Sequence, residues 1–289
     1  MKEKSHLPET RISGLLRLFR FELPFTAGLC AILGELLALG KLPTISEIVL
    51  GFLSVFAISA AALILNDYFD LESDIINALE RPLPSGLVSK QDVLILSIAV
   101  TIAGFITAYL ISLTALLVSI LVWLVGFLYN WRFKKVLIIG NLMVSISVGM
   151  TFIFGGIAVN QPFSEVVWFF AIWVMLINFW EEIATDAMDT QGDQKVGVRS
   201  IALVLGQESA LNISASLFLV AVVTSILPLI LGWLALVCLI PFLFTDAIIL
   251  LATTKLLDPL NKKGRNYIRW FYLSGMVTLL AVIILQFVL

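Results

Sequence analysis

The sequence predicts an all-α membrane protein, a polytopic bundle of about nine transmembrane helices. Of its 289 residues, 60% are hydrophobic and only 13% are charged, and the mean hydropathy is +1.06. An ordinary soluble domain has about 45–50% apolar and about 25% charged residues. The second observation is a series of apolar runs, each long or nearly long enough for a helix to cross roughly 30 Å of hydrocarbon. Together they exclude a soluble globular enzyme.

The chain divides into nine apolar runs, which we interpret as nine spans of a single domain covering residues 1–289. The runs are 23–41, 46–66, 92–112, 114–130, 136–159, 164–181, 208–232, 234–252 and 268–289. Proline, glycine and asparagine mark most of the joints, but runs seven and eight are separated only around Gly232. Glu35, near the outer end of the first run, is expected to snorkel, whereas Asp246 in the eighth could face a cavity.

The distribution of Lys and Arg predicts the orientation of these spans. With nine spans, 17 of the 18 basic residues fall on one side, and only Lys41 falls on the other. Short cytoplasmic loops carry the excess of basic residues. We therefore expect a multi-pass protein of the cell membrane whose N-terminus and acidic loops are cytoplasmic. The net charge of −2 shows no bias towards nucleic acid.

Two acidic clusters lie on that same side. The first follows the second run and contains Asn66, Asp67, Asp70 and Asp74. Residues 66, 70 and 74 are four apart, so they share one face if the helix continues beyond the apolar run.

The second cluster follows the sixth run. It contains Asp186, Asp189 and Asp193, with Glu182 one turn earlier. Solvated helix ends would explain one such cluster, but two matching clusters on one side favour a bound cation. Oxygen ligands without His or Cys favour a hard cation, and Mg²⁺ commonly joins carboxylates to substrate phosphates. The distance of four helices between them is also compatible with a diverged internal repeat.

Several basic residues lie near the two clusters. If Mg²⁺ holds a substrate diphosphate there, these residues could neutralise the negative charge that grows on the diphosphate as its bond to carbon breaks. Each could equally be an ordinary positive-inside anchor. The candidates are Arg81, Lys134, Lys135, Lys195 and Arg199.

These motifs resemble the UbiA superfamily of intramembrane prenyltransferases. That superfamily has an N-D-x-x-D-x-x-x-D motif after the second helix and a D-x-x-D-x-x-x-D motif after the sixth, and this chain has both. The resemblance implies a helical bundle around a prenyl-binding cavity, and Mg²⁺-assisted ionisation of a prenyl diphosphate followed by attack of a lipid-like acceptor. It implies no obligatory protein partner.

The resemblance also implies roles for individual residues. Catalytic roles would fall to Asp67, Tyr129 and Asp189. Metal binding would fall to Asn66, Asp70, Asp74, Asp186, Asp189 and Asp193. Substrate binding would fall to Arg81, Tyr129, Lys134, Lys135, Lys195 and Arg199.

Within the superfamily, the chain is most similar to the archaeal digeranylgeranylglyceryl phosphate synthases. That branch implies transfer of a geranylgeranyl group to geranylgeranylglyceryl phosphate in ether-lipid synthesis. The second motif departs from it, because Glu181 and Thr185 stand where the branch usually has Arg and Lys.

Alternative functions stay open at this stage. One is a prenyltransferase acting on an aromatic or quinone precursor, although no span has an interior Lys or Arg to pair with an aromatic acid. Another is a cation or metabolite transporter, for which we would expect acids at mid-membrane. A third is a membrane alcohol phosphotransferase, whose D-G-x-x-A-R pattern is absent from this sequence.

Overall fold

The computed structural model describes residues 10–136, 138–195, 200–257 and 264–287. The side chains of residues 77, 189–195, 264, 265, 269, 271, 272 and 287 are outside that description. The helices are α1 (Arg11–Leu18), α2 (Glu22–Leu39), α3 (Ile45–Phe69), α4 (Leu71–Asn77), α5 (Lys90–Ile111), α6 (Leu113–Trp131), α7 (Ile139–Ala158), α8 (Glu165–Lys195), α9 (Ile201–Leu205), α10 (Gln207–Thr224), α11 (Leu227–Ile230), α12 (Leu239–Leu256) and α13 (Gly264–Phe287). Short 3₁₀ turns occur at Phe133–Lys135 and Leu236–Cys238.

The predicted all-α membrane bundle is confirmed. Across the described ranges, nine helical segments are long and apolar enough to span a bilayer. They correspond to the nine runs, with α10 and α11 together forming the seventh. Gly232 adopts a positive φ of 71° at the turn between the seventh and eighth segments, a conformation that glycine accepts readily.

The two acidic motifs have different backbones. α3 ends at Phe69, and Asp70 (φ −89°, ψ 1°) joins it to α4. The helical face expected through residues 66, 70 and 74 is therefore interrupted at Asp70, although backbone hydrogen bonds still link Asp70 to Asn66 and Asp74 to Asp70. By contrast, α8 continues for 31 residues through the second motif.

Polar side chains fix the ends of the membrane helices. Thr44 and Glu47 form a reciprocal capping box at the start of α3, and Ser89 and Asp92 form another at the start of α5. Asp92 also accepts hydrogen bonds from Arg11. That ion pair ties the short helix α1 to the N-terminal end of α5.

Small residues allow α2 and α7 to pack closely. A Cβ on Gly155 would lie 2.1 Å from the carbonyl oxygen of Ala31, and one on Gly34 would lie 2.3 Å from that of Phe152. Such contacts need glycine at both positions. Close packing through small residues is a usual source of helix association in membranes, where lipid offers no hydrophobic driving force.

The expectation that Glu35 snorkels is wrong. Its side chain is fully buried, and neither carboxylate oxygen has a hydrogen-bond partner among the described residues. It lies against Gly51 of α3, where a Cβ would meet its Oε1 at 1.9 Å. Close packing of α2 on α3 covers the route to the membrane surface.

Asp246 of α12 does not line the central cavity. It is buried, and the hydroxyl of Ser225 donates to it at 2.7 Å. This hydrogen bond joins α12 to the end of α10.

Candidate active site

The bundle encloses one large cavity of about 1700 Å³. Pockets for small ligands usually measure about 300–1,000 Å³, so this cavity has room for more than one substrate. Inside the bundle its walls are mainly apolar and aromatic, as at Phe152, Phe170 and Phe242. Its mouth, where the two acidic motifs lie, is polar and charged. The predicted site residues that line it are Asn66, Asp70, Asp74, Arg81, Tyr129, Lys134 and Lys135.

At the start of the first motif, Asn66 connects α3 to α6. Its amide Nδ2 donates to Oδ1 of Asn130 at 2.8 Å, and Nδ2 of Asn130 donates to the carbonyl of Ala62 at 3.0 Å. Asn130 is buried, so these bonds lie away from bulk water. These bonds do not use the Oδ1 of Asn66, which could therefore serve as a metal ligand at the cavity wall.

Asp67 lies behind the cavity wall. Its carboxylate is buried with 2% of the side chain exposed, and it accepts a hydrogen bond from Arg20. A guanidinium nitrogen of Arg81 is 3.9 Å away. Its carboxylate therefore holds two arginines together, and the catalytic role expected for Asp67 stays a prediction.

The two following aspartates of the motif are each paired with a cation from another segment. Lys134 donates to Asp70, and Arg81 donates to both oxygens of Asp74 at 2.6 and 2.8 Å. Burial lowers the pKa of the Arg81 guanidinium, but the hydrogen bond to Asp74 and the charges of Asp74, Asp67 and Asp70 together raise it above its ordinary value. Arg81 therefore stays charged at the mouth.

The second motif faces the first across the mouth. Asn141 of α7 donates to Asp186 at 2.8 Å, and Tyr129 lies within electrostatic range of Asp70 and Asp186. The two motifs thus converge on one region, as their common side of the membrane predicts. The side chains of Asp189, Asp193 and Lys195, and the whole of Arg199, lie outside the described residues.

Further polar residues of α8, within the two turns before Asp186, lie on the cavity wall. Glu181, Glu182 and Asn178 all line the cavity. The Oδ1 atom of Asn178 is buried without a hydrogen-bond partner in the described structure.

Sequence reasoning missed Arg20, Asn130 and Asn141 as parts of this site. Arg20 lies just ahead of the first span, where a basic residue is usually explained by the positive-inside rule. No local spacing links it to Asp67, which is 47 residues later. Its backbone offers a structural sign, because it adopts a positive φ of 45° at the joint between α1 and α2. Such conformations are uncommon in residues other than glycine and concentrate at functional sites.

Oxygen donors dominate this region, which fits a hard cation such as Mg²⁺ in chemical type. The described residues contain no ready-made cluster of three acidic, histidine or cysteine side chains around a metal position. Asp70 and Asp74 are each bound to a cation, and the side chains of Asp189 and Asp193 lie outside the described residues. Occupation by a metal would require these pairs to open, or ligands from the remainder of the second motif.

The matched family model describes the UbiA prenyltransferase family and covers residues 27–285. The chain belongs to the UbiA prenyltransferase family. It is therefore a membrane-embedded prenyltransferase, which excludes the transporter and phosphotransferase alternatives.

Among UbiA relatives, the digeranylgeranylglyceryl phosphate synthase of Pyrococcus furiosus is 30% identical over 272 residues, 93% of this chain and 97% of the relative. A solved structure of a digeranylgeranylglyceryl phosphate synthase has a TM-score of 0.78 at 30% identity, and the match covers 96% of this chain and 99% of that one. A UbiA homologue from Archaeoglobus fulgidus, solved with DMAPP and Mg²⁺, has a TM-score of 0.67 at 20% identity, with 94% and 99% coverage. The last comparison concerns the fold alone.

Proposed function

We propose that this UbiA protein transfers a geranylgeranyl group from its diphosphate to geranylgeranylglyceryl phosphate, with Mg²⁺ as cofactor. The observation that carries the proposal is the cavity itself. It joins a long apolar interior to a mouth where carboxylates and cations of different segments meet. A substrate with an anionic head and a long hydrocarbon tail matches both ends.

The depth of the cavity favours a long prenyl chain. Along α8, Glu182 near the mouth and Phe170 deep in the bundle both line it. They are twelve residues apart, which is about 18 Å along a helix. A single isoprene unit would leave most of this wall uncovered, whereas a geranylgeranyl chain would cover it.

The donor set favours Mg²⁺. Asn66, Asp70, Asp74 and Asp186 supply oxygens, and we propose that Asp189 and Asp193 complete the ligand set. When bound, the metal would neutralise diphosphate charge and assist its departure. In the related fold from Archaeoglobus fulgidus the ion accompanies DMAPP.

The chain's own residues would bind and orient the anionic heads. Arg81, Lys134 and Lys135 at the mouth can hold phosphate oxygens through charge-assisted hydrogen bonds. Tyr129, with its ring on the cavity wall, would contact the substrate near the reacting carbon. The walls below would exclude water from the prenyl chain, and we assign further phosphate contacts to Lys195 and Arg199.

Glu181 and Thr185, which depart from the archaeal branch, share a second groove. It has a volume of about 790 Å³, and Arg17 and Arg20 line it as well. The two arginines come from the α1–α2 joint, and the acids Glu22 and Glu181 line the same groove.

We also propose that the mouth faces the cytoplasm, because 17 of 18 basic residues lie on that side in a nine-span topology. All nine spans form one domain in this proposal, and a diverged four-helix repeat would explain the matching motifs.

The direct test uses the full chain in lipid nanodiscs with Mg²⁺ and labelled geranylgeranyl diphosphate. Geranylgeranylglyceryl phosphate and an aromatic acid such as 4-hydroxybenzoate are offered as acceptors, and the products are identified by mass. We expect the di-ether phosphate as the main product. Faster prenylation of the aromatic ring would contradict the ether-lipid assignment and leave the prenyltransferase assignment intact.

A further inference from the structure

The deep end of the cavity is closed by aromatic side chains from three helices. They are Phe152 of α7, Phe170 and Trp173 of α8, and Phe242 of α12, and all four line the cavity. The three phenylalanines are at most 4% exposed, so most of each ring lies beneath the cavity surface. Phe170 stacks on Phe152 with ring centroids 6.4 Å apart, and Trp173 makes edge contacts with Phe170 and Phe242 at 6.4 and 6.2 Å. We call these four side chains the aromatic floor.

The aromatic floor is held in place from behind. The Nε1 of Trp173 donates to Oγ1 of Thr224 at 3.0 Å, which fixes the indole against α10. Beside the floor α2 and α7 are in backbone contact, since a Cβ on Gly34 would lie 2.3 Å from the carbonyl oxygen of Phe152. Val167, on the next turn of α8, is fully buried and does not line the cavity. In the described part of the chain, the cavity therefore ends at these rings.

One face of α8 leads from the second acidic motif to the aromatic floor. Along α8 the lining positions recur every three or four residues from Phe170 to Glu182, which is the repeat of a single helical face. The helix continues unbroken into the motif, and Asp186 lies one turn beyond Glu182. A prenyl chain whose diphosphate is held near Asp186 would therefore run along this face and end against Phe170.

The length of this face matches a chain of four isoprene units. Glu182 and Phe170 are twelve residues apart, which is about 18 Å along the helix. A fully extended peptide residue covers about 3.3–3.6 Å in three bonds, or about 1.1–1.2 Å for each bond. An isoprene unit contributes four bonds to the main chain, so four units cover about 18 Å at that spacing. A fifth unit would meet the rings of the floor.

We infer that the aromatic floor sets the upper length of the prenyl chain that this protein transfers, and that the chain ends at Phe170. The inference rests on the proposed function, because it places the diphosphate at the mouth. Close-packed side chains give way only at a cost, and the rings of the floor are packed against one another and against neighbouring helices. A longer chain therefore has no space to enter.

The test measures kcat/KM for farnesyl, geranylgeranyl and five-unit prenyl diphosphates, using the full chain in nanodiscs with a fixed acceptor and Mg²⁺. Phe170→Ala removes the ring at which the chain ends. A misfit of one methylene in a hydrophobic pocket changes kcat/KM by about 10- to 200-fold. We therefore expect the kcat/KM ratio of the five-unit to the four-unit substrate to rise at least about tenfold in this variant.

A second variant should shift the preference in the opposite direction. Val174 lines the cavity one turn nearer the mouth than Phe170, about 6 Å along the helix. Val174→Phe places a ring there, so the preference should move towards farnesyl diphosphate by a similar factor. The matched control is Phe169→Ala, because Phe169 is a half-buried neighbour on α8 that does not line the cavity. It should leave both ratios unchanged.

Two results would overturn the inference. One is unchanged chain-length ratios in both Phe170→Ala and Val174→Phe. The other is an equal shift in Phe169→Ala, which would mean that a loosened core and not the floor admits longer chains. If Phe170→Ala does not fold, Phe170→Leu serves instead and should give a smaller shift in the same direction. The wild-type product with geranylgeranylglyceryl phosphate tests the proposed function separately, since the floor is judged only by ratios between variants.

Discussion

Arg20 donates to the carboxylate of Asp67, which is 47 residues away in the chain and almost completely buried. The pair joins the α1–α2 joint to the last turn of α3, and Arg20 lines the cavity while Asp67 lies behind it. Phe19 and Phe21, on either side of Arg20, stack with ring centroids 5.2 Å apart and also pack against Phe56 of α3. The N-terminal segment is therefore part of the active-site scaffold.

We expect Arg20→Met to destabilise the protein by about 3–5 kcal/mol, because it leaves the buried Asp67 without its main cation partner. Asp67→Asn removes the charge instead, and the double variant should lose less than the sum of the two single losses. Unfolding in detergent micelles, followed by tryptophan fluorescence, measures each free energy. Strict additivity would show that the pair is not coupled.

Metal dependence is the second prediction. Asp70→Ala or Asp189→Ala should abolish prenyl transfer while the protein still inserts into membranes, because each removes an oxygen donor that stabilises the departing diphosphate. Product formation at saturating Mg²⁺ is the measurement, and Glu208→Ala, an exposed acid on the same side, is the control. Full turnover of the wild type in excess chelator would contradict the metal assignment.

The ion pair between Lys134 and Asp70 predicts that the affinity for Mg²⁺ depends on whether a diphosphate is bound. Because Asp70 is already neutralised, we expect Mg²⁺ alone to bind weakly and to bind more tightly once a diphosphate is present to engage Lys134. Calorimetric titration of Mg²⁺ with and without a non-reactive prenyl diphosphate analogue tests this. Equal affinities in the two titrations would show that the pair does not oppose metal binding.

The sequence was sufficient to predict the helical architecture and both motifs, because apolar length and i, i+4 spacing are local properties. It could not predict which distant side chains meet. Asn141 bonds to Asp186 across 45 residues, and no local pattern connects them. Glu35 illustrates the same limit, since its burial depends on a glycine of another helix, Gly51. The break at Asp70 likewise interrupts a spacing that favoured a continuous helix.

The orientation in the membrane gives the third prediction. In a background with Cys30 and Cys238 replaced by alanine, a cysteine at position 77 should react with an impermeant maleimide only after cells are opened. A cysteine at position 161, on the opposite side in a nine-span topology, should react in intact cells. The reverse pattern of labelling would contradict the cytoplasmic location of the first motif, which rests on the distribution of Lys and Arg.

The last prediction concerns how the acceptor's phosphate is held. Lys134 and Lys135 line the cavity mouth, and a charge-assisted hydrogen bond is worth roughly 1.5–3 kcal/mol. Lys135→Ala should therefore raise the KM for geranylgeranylglyceryl phosphate about 10- to 100-fold, whereas Lys41→Ala, on the opposite side of the membrane, should leave it unchanged. Lys134→Ala should have a second effect, because it also frees Asp70 from its ion pair.

The two substrates must be titrated separately, since the prenyl diphosphate competes for the same cations. If Lys135 contacts the acceptor, its loss raises the acceptor's KM more than that of the diphosphate, and a neutral acceptor should show no such dependence. Unchanged acceptor affinity in both variants would mean that these lysines act on the diphosphate or on topology. The anionic acceptor would then have to be held at the second groove, where Arg17 and Arg20 lie.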